Sequence, residues 1–447
     1  MKNYFKLFSG VSIIVLILAS VSCKKSSTSG GMTTHFITDV ASSNPNFSDL
    51  VAALKRTGLD KALENGSASF TVFAPTNAAF ATLLGELNVT SVSQIPVGTL
   101  TEVLLNHVIS GSLTASQLKS GYYSTLAAGP SKGYTLSMYV DLMAKKINGG
   151  ANITQTDIMA DNGVIHVIDK VLLPMTIADN AVANSSFTSL VAALQKANLV
   201  SALADTSKRY TVFAPTNDAF TALLTSLGTS LSNLTAGTLS PILLYHVLSG
   251  FIPAASVKAG YFPTLSTAFG KNMDVQVAVG SGVLLNNSSN VIATDVVATN
   301  GIIHVIDKVL LPPTVVDLAT QNSIFSTLVL AVVKADLATT LAGTGPFTVF
   351  APTNDAFTAL FAALKVSGID ALTKNQLTPI LLAHVVSGNV QSGDLVSGSV
   401  PTLNSAAPLK VMVSGSGVTL NGNINVVLAN VQGSNGVVHV IDKVIVP

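Results

Sequence analysis

The sequence contains no tryptophan, one cysteine (Cys23) and two arginines (Arg56 and Arg209). A lone thiol cannot close a disulfide within the chain. Two guanidinium groups give almost no material for bidentate recognition of phosphate or guanine, which argues against nucleic acid as a partner. Charged residues make up only 10% of the 447 positions and sum to a net charge of +1. No run of lysines follows one helix face, so an electrostatic membrane patch is equally unsupported. What is present is apolar: 48% of residues are hydrophobic, mostly aliphatic. That suffices for a sizeable core in each of about three domains of roughly 150 residues.

The N-terminus departs from this background. Lys2 and Lys6 precede an apolar run over residues 11–21, and the small residues Ser20 and Ser22 lead into Cys23. Residues 1–22 read as a secretory signal whose apolar part is too short to span a bilayer, and residues 23–32 as a polar flexible tether. In this position Cys23 resembles the lipid-modified cysteine of bacterial lipoproteins, although Ser20 stands where that pattern usually has leucine. The resemblance implies a chain exported and lipid-anchored in the bacterial envelope, with the outer membrane as the expected location. An ordinary cleaved signal with an incidental cysteine is the alternative.

Beyond the tether three blocks recur in fixed order. "TVFAPTN" stands at 71–77, 211–217 and 348–354. "LLNHVISG" (104–111) returns as "LLYHVLSG" (243–250) and "LLAHVVSG" (381–388). "NGVIHVIDKV" (162–171) returns as "NGIIHVIDKV" (300–309) and "NGVVHVIDKV" (435–444). A period of roughly 140 residues is far longer than that of solenoid repeats, so whole domains follow one another in tandem. Their expected extents are 33–174, 175–313 and 314–447. Pro174, Pro312 and Pro313 stiffen joints that contain no glycine-serine tract, which predicts a fairly rigid three-domain rod.

Within each repeat the pattern is α+β, helices first and strands later. Phe47, Leu50, Val51 and Leu54 lie at i, i+3, i+4 and i+7, as do Phe187, Leu190, Val191, Leu194 and Phe325, Leu328, Val329, Val332, which predicts an amphipathic helix. "TVF" reads as a short strand. Pro75 ends it for want of an amide donor, and Thr76 or Asn77 caps the helix that follows. Asp218 and Asp355 add negative charge to the first turn of that helix, where the dipole favours it. Gly111, Gly250 and Gly388 are expected to close a helix in the left-handed conformation. The remainder of each repeat, punctuated by Gly and Asn turns, reads as hairpins.

The three blocks, in this order and in all three copies, resemble the fasciclin (FAS1) domain over about residues 33–447. The resemblance implies three tandem FAS1 domains, each a β-wedge with packed N-terminal helices. It also implies an extracellular or cell-surface role in adhesion and matrix binding, with no catalytic activity and no cofactor. Some animal members bind integrins through an Asp-Ile pair upstream of the last block. Here that place holds Asp157-Ile158, then Asp295-Val296, then Asn430-Val431. The family's Tyr-His pair survives only as Tyr245-His246, with Asn106 and Ala383 in the other repeats. Asp157, Ile158, Asp295 and Tyr245 are accordingly the candidate partner-binding residues.

Six of the seven histidines belong to the blocks: His107, His246 and His384 in the middle one, His166, His304 and His439 in the last. A base–orienter pair with Asp169, Asp307 or Asp442 is disfavoured, because residues three apart on a strand face opposite sides. No third ligand at metal spacing accompanies them, no Gly-x-Ser-x-Gly frame holds a nucleophile, and no glycine-rich loop opens a helix. The histidines are expected to be buried and to tie helix to strand by hydrogen bonds. The paired aromatics of "GYYSTL" (121–126) and "GYFPTL" (260–265) can fill a core or stack on a sugar.

The leading expectation is an envelope-exposed adhesion protein that binds a protein or glycan on a cell surface or matrix, without metal or cofactor. A small-ligand or glycan-binding envelope lipoprotein is the alternative, and a histidine-dependent hydrolase is the third reading.

Overall fold

A computed structural model describes residues 35–447 other than Asn65 and Ser416. The signal segment 1–22, Cys23 and the tether to residue 32 lie outside the described residues. Two compact units are present. Unit 1 contains the first repeat up to Ser185 together with Val296–Asn300, and unit 2 contains Ser186–Asp295 and Gly301–Pro447.

In the first repeat three helices, α1 (Ile37–Ser43), α2 (Ser48–Thr57) and α3 (Leu59–Leu63), precede strand β1 (Phe70–Pro75). Helices α4 (Asn77–Leu87) and α5 (Val97–Leu105) follow, then β2 (Val108–Ser110), β3 (Gly121–Ala128), β4 (Thr135–Asp141), β5 (Lys146–Ile147), β6 (Ala151–Ala160) and β7 (Gly163–Ile168). The seven strands close into a barrel in which β1 lies between β2, antiparallel, and β7, parallel. The second repeat builds the same closed barrel; the third builds a seven-stranded sheet that stays open.

Strand alternation divides the interior in two. Val72 and Ala74 of β1 join Phe47, Leu50, Leu54, Phe80 and Leu100 in a helical core. Phe73 turns the other way and packs with Ile109, Met138, Val140, Ile147 and Ile168 inside the barrel. Of the stripe expected on α2, Leu50 and Leu54 are buried and Val51 half-buried, while Phe47 sits in the 3-10 turn Pro45–Phe47 just ahead of the helix.

The "TVFAPTN" junction has the punctuation expected. Pro75 is the last strand residue, opposite Ile168, and Thr76 is the cap, its side chain accepting from the Ala79 amide. Asn77 is used differently: its Oδ1 accepts from the Asp49 amide and its Nδ2 donates to the Pro45 carbonyl, fastening α4 to the start of α2.

Two features correct the sequence reading, and a third adds to it. A short helix, α1, opens the repeat, with counterparts at Ile177–Ala183 and Val315–Thr320. Gly111, Gly250 and Gly388 are left-handed (φ 90°, 97° and 102°) but end the three-residue strand after α5 and its counterparts, not a helix. The glycine of "NG" is a matter of space: a Cβ on Gly163 would stand 2.0 Å from the Phe70 carbonyl oxygen, and one on Gly436 2.2 Å from that of Phe347.

Candidate functional site

The loop that follows β2 is held from three sides by residues of the recurring blocks. Thr71 donates to the Gly111 carbonyl at 2.6 Å and accepts the Leu113 amide at 2.8 Å. His166 contacts the Leu113 carbonyl through Nε2 at 2.9 Å. Asp157 accepts the Ala115 amide on Oδ1 at 2.7 Å. The two features singled out separately, the Asp-Ile pair and the last-block histidine, therefore meet: the Asp157 amide points at His166 Nδ1, 3.4 Å away. Both ring nitrogens thus face backbone groups, an amide at Nδ1 and a carbonyl at Nε2. Phe73 of "TVF" lies against it, ring centres 5.5 Å apart.

Asp157 reaches this position because β6 is bulged. Its register against β7 shifts between Ile153 and Gln155 and again before Ile158, and Asp157 sits at φ 60°. Asp and Asn tolerate that left-handed conformation better than other residues with a Cβ.

The arrangement recurs in the other repeats. Asp295 (φ 60°) accepts the Ala254 amide at 2.9 Å, and its own amide faces His304, whose Nε2 meets the Ile252 carbonyl. Asn430 (φ 66°) accepts the Ser392 amide at 2.7 Å, and its amide faces His439, bound to the Val390 carbonyl. Asn430 thus loses the charge of its counterparts and keeps the acceptor. Burial holds His304 and His439 below the ordinary imidazole value.

The middle-block histidines form a second clamp. His107 donates from Nδ1 to the Val103 carbonyl at 2.7 Å and accepts the Leu172 amide on Nε2 at 2.8 Å, tying the end of α5 to the chain leaving β7. His246 does the same with Ile242 and Leu310, and His384 with Ile380 and Ile445. Loss of water around the imidazolium pushes all three down to about 4, against a smaller opposing effect of the backbone carbonyl.

The aspartates of the last block serve elsewhere. Asp169 is held by the amide and side chain of Asn152 at 2.7 and 2.6 Å, and Asp307 and Asp442 are held likewise by Asn290 and Asn425. None orients a histidine, and both ring nitrogens of each block histidine face backbone groups. Among the described residues no cluster of three His, Cys, Asp or Glu side chains is placed to hold a metal ion.

Of the candidate contact residues, Asp157 is exposed and Asp295 half-exposed. Ile158 is half-buried and packs on the helical core. Tyr245 requires correction: it is fully enclosed in the second barrel, where its hydroxyl donates to the Asp274 carbonyl at 2.7 Å and accepts from Asn286 Nδ2 at 3.0 Å. A phenol so placed has no surface to offer a partner. Sequence reasoning missed Thr71 and the asparagine of "NG". Asn162 accepts the Ile37 amide and donates to the Leu63 carbonyl, and Asn435 accepts the Val315 amide and donates to the Leu341 carbonyl, seating the opening helices. Their recurrence in every block was the available signal.

These features define a class: tandem α+β domains in which helices pack on a seven-stranded barrel or sheet and block residues brace one surface loop per domain. A model of the Fasciclin domain matches residues 45–174, 185–312 and 323–447, and the chain belongs to that family. Human periostin is 29% identical over 393 residues, which are 86% of this chain and 44% of periostin, so the chain spans less than half of that relative's length. Protein sll1483 of Synechocystis is 47% identical over 134 residues, 30% of this chain and 73% of that protein. The FAS1 domain pair of the insect cell adhesion molecule fasciclin I aligns with 60% of this chain and 98% of its own at 20% identity and a TM-score of 0.38. No helix among the described residues is long and apolar enough to cross a membrane.

Proposed function

We propose that this chain is a non-enzymatic adhesion or matrix-type binding protein of the bacterial envelope, with FAS1 domains at 33–174, 175–313 and 314–447. In this reading the domains are tethered through a lipid on Cys23. The observation that carries it is the braced loop. Thr71, His166 and Asp157 immobilise 111–115 at the surface next to the exposed Ser116 and Gln117, and the same bracing is built three times. A loop ordered in advance loses less entropy on binding, and tandem copies on one anchor add avidity to weak single sites. Family membership supports adhesion rather than catalysis, in line with the block histidines being committed to backbone groups.

Asp157, Ile158 and Asp295 are the residues of this surface in our reading, and the partner is a protein or glycan of a cell surface or matrix. The sugar-stacking alternative finds less support, because the Tyr261 ring packs against the core of the third repeat and the Tyr122 ring lies against Tyr139, ring centres 5.0 Å apart.

The test is binding of the purified chain to matrix and glycan preparations, with Asp157→Ala and Asp157→Asn beside the parent. Loss with Ala and retention with Asn is expected, since Asn430 shows that an amide keeps the brace. Equal binding by all three would reject the loop as the contact. Protease shaving of intact cells checks location: digestion with a periplasmic control spared is expected, and full protection would rule out direct adhesion.

A further inference from the structure

The paired aromatics of β3 and its counterpart do work that the braced loop leaves unexplained. In unit 2 the Tyr261 hydroxyl accepts a hydrogen bond from Asn322 Nδ2 at 3.0 Å, and the Tyr261 ring packs against the core of the third repeat. One strand over, Asp274 accepts the Gln432 amide on Oδ2 at 2.8 Å, both residues being buried. Unit 1 repeats the pattern. Tyr122 accepts from Asn184 Nδ2 at 3.1 Å, and Ser137 Oγ accepts the Val297 amide at 2.9 Å.

The strand register makes the correspondence strict. Tyr122 pairs with Tyr139, Tyr261 with Gln276 and Ser399 with Lys410. Two residues before those partners stand Ser137, Asp274 and Pro408. On the receiving side, Asn184 immediately follows the opening helix Ile177–Ala183, and Asn322 caps the 3-10 turn next after Val315–Thr320. Val297 and Gln432 each lie two residues after the left-handed residue of the long strand, Asp295 or Asn430.

We infer that the β3 phenol and the acceptor on the neighbouring strand form a two-point docking joint for a following FAS1 domain, and that the third repeat is a terminating domain. Ser399 is too short to place a hydroxyl where a tyrosine does, and Pro408 offers no side-chain acceptor. Pro408 also faces Pro401 in the register that pairs Val400 with Leu409, so neither side of that step can donate an amide. The partner this joint fits is a FAS1 domain with an asparagine after its opening helix and an outward-facing amide two residues beyond its bulge. The first repeat has both, Asn44 and Met159, and Met159 is 59% exposed.

The test uses the full chain. In the parent the second and third repeats are expected to unfold in one calorimetric transition. Tyr261→Phe with Asp274→Ala is expected to split it in two and to speed proteolysis across 308–314 at least several-fold. Tyr123→Phe, whose hydroxyl contacts only the Lys119 backbone, is expected to change neither. A parent-like single transition and cleavage rate in the double variant would overturn the joint. For the terminating role, Ser399→Tyr with Pro408→Ser, or either alone if the pair does not fold, is expected to make the average mass in sedimentation rise with concentration. Met159→Lys is expected to reverse that rise. A folded variant that stays at the parent's mass at all concentrations would overturn the terminating role.

Discussion

The second and third repeats carry the same blocks, yet the second closes its barrel and the third does not. In the second, the strand Gly260–Ala268 passes Pro263, opposite Asp274, and resumes pairing at Thr267 and Ala268, while Thr264 bridges to Leu248 and completes the ring. In the third, pairing stops after Val400, where two prolines face each other, and the Leu403 amide bond to the Val385 carbonyl is what spans the gap. The interiors differ to match: Tyr245 fills the second barrel, and Ala383 stands in its place in the third. The histidine clamps are nonetheless alike, 2.7 and 2.8 Å at His246 against 2.8 and 2.9 Å at His384. The helical half and its clamps are thus set independently of barrel closure, and the barrel is the part that varies.

The sharpest way to break this comparison is to remove a clamp from each repeat. His246→Ala and His384→Ala each leave a buried amide and a buried carbonyl unpaired beside a new cavity, with an expected loss of about 3–5 kcal/mol in either repeat. Denaturant midpoints of the two variants would measure it. A much smaller loss at His384 would mean that the clamp depends on the closed barrel after all.

Acid separates the two repeats next. His246 and His384 are neutral in the fold down to about 4, whereas in the unfolded chain they take up a proton near 6.5. Stability is therefore fully present above 6.5 and falls as pH drops toward 4, by up to about 1.4 kcal/mol per pH unit for each imidazole. Asp274 acts in the opposite sense. Burial raises its carboxyl to about 6, against the donated Gln432 amide, so between 6 and its ordinary 3.8 the fold keeps a proton that the unfolded chain releases. The expected outcome is a shallower acid loss wherever Asp274 contributes, made steeper by Asp274→Asn, as read from urea midpoints between pH 7 and 4.5.

Tyr245→Phe tests the filled barrel. It leaves the Asp274 carbonyl and the Asn286 amide group without their partner, an expected cost of about 1–3 kcal/mol in thermal or urea unfolding. A neutral result would show that the phenol acts by volume alone.

How much of this was legible follows the distance between partners along the chain. Pro75 as the strand end and Thr76 as the cap involve neighbours within three residues, and the sequence pattern sufficed for both. Thr71 with Gly111, His166 with Leu113 and Asp157 with Ala115 are 40 to 53 residues apart, so their convergence on one loop needed the fold. Helix α1, seven residues long, is too short to show a period. Gly111 follows a helical pattern in sequence but does not close the helix, because the three-residue strand β2 intervenes between α5 and the glycine. Tyr245 sits beside a block histidine in sequence, but as the last residue of its helix it packs among Phe213, Met273 and Val275 inside the barrel. Pro401 and Pro408 were visible throughout; only the register shows that they face each other.

The finest test concerns the residue in which the three bulges differ. Asn430→Asp gives the third repeat the carboxylate of the other two. Its Oδ1 still accepts the Ser392 amide, and the left-handed backbone suits Asp as well as Asn. The bond from Asn430 Nδ2 to Ser392 Oγ is lost, but a serine hydroxyl can rotate and donate to the carboxylate instead. The expected change in stability is within about 0.5 kcal/mol, as for an exposed position whose hydrogen bonds are all replaced. Binding is the more telling readout. If a partner of the first repeat recognises the Asp157 carboxylate, Asn430→Asp should add affinity in the third; if it recognises the braced loop, the substitution should add nothing.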